Sequence, residues 1–333
     1  VNDTDERMKS GALRASLYDA LDRVERGARI VIERYQRPVA ALVPIDDYWA
    51  DVHNRAQHPK ERTMKTQRIV FTNVSGGEGK TTLAREIAFI LAGRGYRVAL
   101  FDVDPQASLT KGLGLHPDDQ APAARPEATV ASVFRQDNPG PLPAPVAVRG
   151  VDLWPSNDTL SEAESTLMSD FSRVENLRRA IDTYLAEHPY DFVILDAKPQ
   201  RTNFLAATIA AADHIVVPVS GMKGLENLDM IAKVIRMVRG VAPDVGVRLI
   251  VPNRMKANVN HHKNVLAYLE TELSNVATIA PPVRDSAAKL GDATEAREPV
   301  VHHAPNSDIA RDLHRVTDSL LSVLGIGVVA VAQ

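Results

Sequence analysis

Residues 69–82, Ile-Val-Phe-Thr-Asn-Val-Ser-Gly-Gly-Glu-Gly-Lys-Thr-Thr, restrict this chain more than any other stretch. An apolar, β-branched run gives way to a glycine-rich turn, and an amphipathic segment follows from Leu83 to Leu91. The order predicts a strand, a phosphate-binding loop and a helix. Gly76, Gly77 and Gly79 keep side chains out of the way, so that backbone N–H groups of Ser75, Glu78, Thr81 and Thr82 can close around phosphate oxygens. The helix N-terminus near Lys80 adds its positive end. Lys80 is placed to reach β- and γ-phosphates, and the Thr81 hydroxyl to hold Mg²⁺.

Two more apolar runs end in carboxylates. Arg97–Gln106 reads as a buried parallel strand that delivers Asp102 and Asp104 to the C-terminal edge of a sheet, where ligands of open α/β sheets bind. Phe192–Asp196 reads as another, with Asp196 as a magnesium carboxylate of the Walker B kind. Val151–Asn157, Ile215–Val219 and Arg248–Asn253 add strands, and residues 116–149, rich in Pro and Ala, form an irregular excursion with a helical turn inside Ala128–Phe134. Helices are expected from Leu160, over Arg173–Leu185, from Gly221 to Val238 and over Asp308–Leu324. The fold class is α/β, a mostly parallel sheet flanked by helices.

The chain has 333 residues, enough for two domains, and a net charge of −3, which names no partner. It contains no cysteine, so disulfides and thiolate metal sites are excluded and a reducing cytoplasm fits. No secretory signal pattern and no bilayer-length apolar run is read, so a cytoplasmic location without stable membrane association is expected.

The loop spacing departs from G-x-x-x-x-G-K-[ST], because Val74 stands where the first glycine belongs. It resembles the deviant Walker A loop K-G-G-x-G-K-T of the ParA/MinD ATPases. Asp102, Asp104, Pro105, Gln106 and Ser108 are similar to that family's D-x-D-P-Q-x-[SN], and the likeness runs over residues 67–325. The resemblance implies a P-loop NTPase that binds ATP and Mg²⁺ and closes as a homodimer with two nucleotides between the subunits. It implies that Asp104 orients the attacking water, that Asp102 supports the magnesium shell held by Thr81 and Asp196, and that Asn253 and Pro282, in the loop Ala280–Arg284, contact the adenine. The chain differs at two points. The family's signature lysine, which crosses the dimer to the partner's phosphates, is Ser75 here, and the family's D-x-P-P reads Asp196-Ala197-Lys198-Pro199. Ser75 brings no charge to phosphoryl transfer. A surrogate lysine is expected, Lys223 ahead of Lys198. Slow hydrolysis and a nucleotide switch are the alternatives.

Residues 1–52 form a separate unit. Residues 1–9 are polar and read as frayed. Leu13, Leu17, Leu21 and Val24 recur at helical spacing with Gly27 as the stop; Ile30–Ile32 and Val39–Val43 read as a hairpin, and Ile45–Trp49 opens another helix. So small a unit buries too little alone and is expected to dimerise. Residues 8–50 resemble the Phd/YefM antitoxin domain, which implies an operator-binding dimer. Arg7, Lys9, Arg14, Arg34 and Arg37 are its candidate phosphate contacts. Residues 53–66 are the linker, and 326–333 an apolar tail.

What the combined resemblances imply is a ParA-type partition ATPase for plasmid or chromosome DNA. It is nucleoid-associated, binds DNA non-specifically in its ATP form, and is stimulated by a ParB-like centromere-binding protein. The N-terminal domain binds the operator of its own operon. The candidate DNA surface is Lys233, Arg236, Arg239, Arg248, Arg254, Lys256 and Lys263, and binding there is salt-dependent. His261 and His262 are adjacent, not at metal-ligand spacing, and read as surface residues. One alternative is an ATP-switched transcriptional repressor; another is a MinD-like or protein-cargo positioning ATPase. The membrane form of the latter needs a basic amphipathic helix, and the tail has no Lys or Arg.

Overall fold

The computed structural model describes residues 6–9, 12, 16–34, 37–45, 47, 64–115, 128–134, 139–198 and 203–327. It divides into two compact units, Val1–Pro59 and Lys60–Gln333. The division falls inside the expected linker, most of which lies outside the described residues.

The first unit holds strand β1 (Glu6–Lys9), helix α1 (Leu17–Glu25) and strands β2 (Ile30–Arg34) and β3 (Arg37–Leu42). The expected hairpin is the antiparallel β2–β3 pair. Residues 6–9 are not frayed: β1 pairs parallel with β2, Glu6 opposite Ile30, so the sheet has three strands. Main-chain pairing needs no apolar side chains, which is why a polar run could hide an edge strand. The core is small, Ala20, Val24 and Ile30 with Met8 and Leu42 against it. Leu17, Tyr18 and Leu21 remain exposed on α1. Leu13, Arg14 and most of Ile45–Trp49 lie outside the described residues, as do the side chains of Arg7, Lys9, Arg34 and Arg37.

The second unit is built on an eight-stranded sheet. Its strands are β4 (Gln67–Phe71), β5 (Val98–Val103), β6 (Val146–Val148), β7 (Val151–Trp154), β8 (Phe192–Ala197), β9 (His214–Val219), β10 (Gly246–Pro252) and β11 (Thr278–Ile279). The order is β11-β10-β9-β4-β8-β5-β7-β6, parallel except for the edge strand β6, which the sequence reading missed. Alternate side chains enter two cores. Ile69, Phe71, Phe192 and Ile194 pack on one face, and Val70, Val193 and Leu195 on the other. A strand covered on both faces reads as continuous apolar sequence rather than alternation, and that made β5 and β8 legible. Phe101 stacks on Trp154 at 4.3 Å between centroids; burying each large ring is worth about 1.5–3 kcal/mol.

The helix after the glycine loop, α2 (Lys80–Gly93), is buried almost throughout rather than amphipathic. Its outer face lies under α11 (Val300–His303) and α12 (Asp308–Val323). There Glu86, fully buried, accepts from Arg85 and from Val301 N–H at 3.1 Å. Between β5 and β8 lie α3 (Ser108–Gly112), a 3₁₀ turn at Val130–Phe134, α4 (Leu160–Ser169) and α5 (Asn176–Glu187). Then come α6 (Asn203–Ala210), α7 (Met222–Glu226), α8 (Leu228–Val238), α9 (Asn260–Glu272) and α10 (Ala287–Glu295). The tail does not start cleanly at residue 326: Ile326 still packs on the core.

Candidate functional site

Central parallel strands bring the ends of β4, β5, β8, β9 and β10 to one edge. After β4 the chain turns through Gly77 (φ 81°) and Gly79 (φ 88°), left-handed conformations that glycine adopts without strain. At Gly79 a side chain would also collide with Asn253. Asn73, fully buried, sets the start of the loop. Its Nδ2 donates to the Pro218 and Gly224 carbonyls at 2.9 and 3.2 Å, and its Oδ1 accepts from Ser75 N–H at 3.0 Å. Ser75 Oγ accepts in turn from Asn227 Nδ2 at 2.7 Å.

Lys80 opens α2 and folds back over the loop, Nζ to the Ser75 carbonyl at 2.8 Å. Burial pulls its pKa down, and the charges of Asp196, Glu78 and Asp104 oppose that. Asp196 is buried beside it, and neither of its carboxylate oxygens has a hydrogen-bond partner. Burial first, then the charge of Asp102, raises its pKa well above the ordinary range, with Thr81 and Lys80 acting the other way. An ionised carboxylate does not remain bare in such a place without a cation. This observation fits Mg²⁺ at Asp196 and Thr81.

Asp102 faces Asp196 across the β5–β8 ladder, but it is not a second open ligand. Its Oδ2 accepts from Thr110 N–H and Oγ at 2.9 and 2.6 Å, and its Oδ1 from Asp104 N–H at 3.3 Å. These bonds fix the Asp104 turn and the start of α3. Burial nevertheless raises its pKa to about 6. Asp104 itself lines the cleft, its Oδ1 accepting from Gln106 N–H at 3.0 Å.

The cleft has a volume of about 380 Å³. Gly77, Gly79, Lys80, Thr81, Thr82 and Asp104 line one end, and Val283, Ala287, Leu290, Ile309 and Leu313 give the other an apolar wall. Asn253 is there as expected, but its Nδ2 donates to the Glu78 carbonyl at 2.8 Å and so ties the loop to β10. Pro282 is not among the cleft residues but lines a neighbouring depression with Met255, Lys256 and Arg315, while the adjacent Val283 lines the cleft. Arg254 (φ 57°) reaches the Gly77 carbonyl at 3.2 Å across the mouth.

Of the expected loop residues, Glu78 differs most. Its carboxylate, buried, turns away to accept from Ser220 N–H and Oγ at 2.6 and 2.8 Å, which leaves only its backbone for an anion. Lys198 pairs with Glu164 at 2.8 Å, both largely buried. Lys223 is exposed on α7, and its carbonyl accepts from the same Asn227 that holds Ser75. Lys233, Arg236 and Arg239 are exposed along one face of α8 and its end, whereas Lys256 pairs with Asp285 at 3.1 Å. His262 is no free surface residue, since its Nδ1 accepts from Lys256 N–H at 2.8 Å. Asn73, Asn227, Ser220 and the α12 wall were missed, and Arg254 was read only as a DNA-facing cation. Only α12 carried a signal, its apolar spacing at Ile309, Leu313, Val316 and Leu320.

Residues 66–243 match a family model described as an AAA domain. The chain is 30% identical to a probable plasmid-partitioning protein ParA of Thermus thermophilus, over 80% of this chain and 82% of that one. It is 29% identical to the cell division protein PomZ of Myxococcus xanthus, over 80% and 81%. Among solved structures, cobyrinic acid a,c-diamide synthase of Mycobacterium smegmatis, with bound ATP analogue and magnesium, superposes with a TM-score of 0.64 at 26% identity, covering 77% of this chain and 94% of that one.

Proposed function

The chain belongs to the ParA/MinD-type P-loop ATPases, and from that premise we propose that it is a DNA-partition ATPase whose ATP-bound dimer holds DNA. Its ligands are ATP and Mg²⁺. The observation that carries the reading is the bare Asp196 carboxylate beside Lys80 and Thr81 at the mouth of a glycine loop. Thr81 and Asp196 would hold the magnesium ion, which would neutralise charge on the phosphates. Backbone N–H groups of residues 75–82 bind the phosphates, Lys80 exchanges the Ser75 carbonyl for phosphate oxygens, and Asp104 orients the attacking water. The apolar wall of Val283, Leu290 and Leu313 takes the base.

The first unit is the Phd/YefM-like operator-binding dimer, with α1 supplying the dimer face through Leu17, Tyr18 and Leu21, its exposed large apolar residues. Lys233, Arg236 and Arg239 hold bulk DNA, and a ParB-like protein stimulates release. Lys223 takes the place of the lysine absent at Ser75. Lys198 is already neutralised by Glu164, which favours Lys223. The similarity to a cell division protein, PomZ, supports a second reading, a positioning ATPase whose cargo is a protein assembly.

The test is binding of duplex DNA of arbitrary sequence with and without ATP and Mg²⁺. ATP raises the affinity of the wild type and not of Lys80→Ala. Equal affinity in both states contradicts the reading.

A further inference from the structure

The loop residue Glu78 carries a buried carboxylate that the phosphate chemistry does not use. It spans to the segment after β9, where Ser220 N–H and Oγ both donate to Oε2. The same segment returns at Gly224. A Cβ added there would lie 2.9 to 3.2 Å from the carboxyl atoms of Glu78, closer than ordinary contact. Gly224 is inside α7, and no positive φ demands glycine at that position. Glycine weakens a helix relative to alanine, so its presence has a steric reason: it admits Glu78. A second tie lies beside the first. Asn227 bridges Ser75 Oγ and the Lys223 carbonyl at 2.7 and 2.8 Å. Residues 220–227 are thus fastened to the phosphate loop at both ends, and Lys223 lies between the fastenings.

We propose that Glu78, seated against Gly224, is a positioning residue that fixes the Lys223 segment to the phosphate loop, so that Lys223 is presented for phosphoryl transfer only when the loop is correctly closed. The inference rests on the reading of Lys223 as the catalytic cation. Glu78 touches no reacting atom. It holds the segment by accepting two hydrogen bonds, and because these bonds end on the loop itself, displacement of the loop displaces the lysine. Small misplacement of a charged group costs rate more than binding.

Two readouts separate the latch from the Lys223 reading. The first is amide exchange of residues 220–227 in the full chain with ATP and Mg²⁺. Glu78→Ala and Gly224→Ala speed it, while Glu78→Gln, which can still accept from Ser220, leaves it slow. Unchanged exchange in Glu78→Ala overturns the latch. The second is steady-state turnover. Glu78→Ala and Gly224→Ala lower kcat about tenfold or more with KM within about threefold, and Glu78→Gln restores most of it. Alanine is the better helix former, so a loss in Gly224→Ala is not helix weakening. Faster exchange with unaltered kcat overturns the positioning role. Should Lys223→Ala turn over as the wild type does, the Lys223 reading fails alone, and the exchange comparison still decides the latch.

Discussion

Asn227 donates to the Ser75 hydroxyl at 2.7 Å and to the Lys223 carbonyl at 2.8 Å, so the position that lacks a lysine is hydrogen-bonded to a residue one helical turn from an exposed one. Lys223→Ala therefore lowers turnover by about 1,000-fold or more, the order of a lost cationic finger, and leaves nucleotide binding intact. Lys198→Ala has a smaller effect on kcat, because Lys198 is held by Glu164 at 2.8 Å. Turnover measured beside fluorescent-nucleotide binding checks both.

Asp196→Asn has opposite effects with and without metal. In metal-free protein it removes one of two buried carboxylates that face each other, Asp102 and Asp196, and unfolding stability rises. With ATP and Mg²⁺ the ligand-induced rise in melting temperature shrinks, because the site has lost its anionic ligand. Thermal unfolding under the two conditions checks the sign of each.

Much of the catalytic edge was legible because it is local. A glycine run fixes a loop, and continuous apolar strands ending in Asp104 and Asp196 fix where carboxylates emerge. What was not legible depends on contacts between distant segments. Ser75 and Asn227 are 152 positions apart, and Glu78 and Ser220 are 142 apart. No periodicity or spacing marks such pairs. Even the hold of Thr110 on Asp102, eight positions along, carries no mark in the spacing. The β1 strand was missed because three of its four residues are charged, and its main chain pairs regardless.

His302 gives the second unit an acid limit. Burial, and then the charge of Arg149, lower its pKa from 6.5 to about 4, while Glu298 acts the other way. A depressed folded-state pKa means that the unfolded chain binds the proton more readily. The stabilisation is complete above pH 6.5 and is lost as pH falls toward 4, by at most about 3 kcal/mol. His302→Leu keeps the contact with Phe89 (5.4 Å between ring centroids in the wild type) and loses less stability over that interval. Comparing the two proteins by denaturant unfolding at pH 7 and pH 5 separates His302 from Asp102, whose pKa is raised to about 6 in both.

On the proposed reading, the exposed cations of α8 set the DNA term. Replacing Lys233, Arg236 or Arg239 singly by Ala weakens binding to duplexes of any sequence alike and reduces the salt slope by about 1 each. ATP affinity is unchanged, since these residues are not among those lining the cleft. Affinity titrations at several salt concentrations check this.

Tyr18, 85% exposed on α1, lies on the face proposed for dimerisation of the first unit. Tyr18→Glu places a charge there and shifts the nucleotide-free protein toward monomer, as read by light scattering, and lowers operator affinity without altering turnover.

The most direct measurement is steady-state ATP hydrolysis by the purified full chain, with and without duplex DNA, beside Lys80→Ala as the blank. Turnover above the blank that rises with DNA is the expected result, and would show that the charge missing at Ser75 is supplied from elsewhere. Hydrolysis indistinguishable from Lys80→Ala, in protein shown to bind ATP and supplied with both DNA and its partner protein, would contradict a partition ATPase and leave a nucleotide switch.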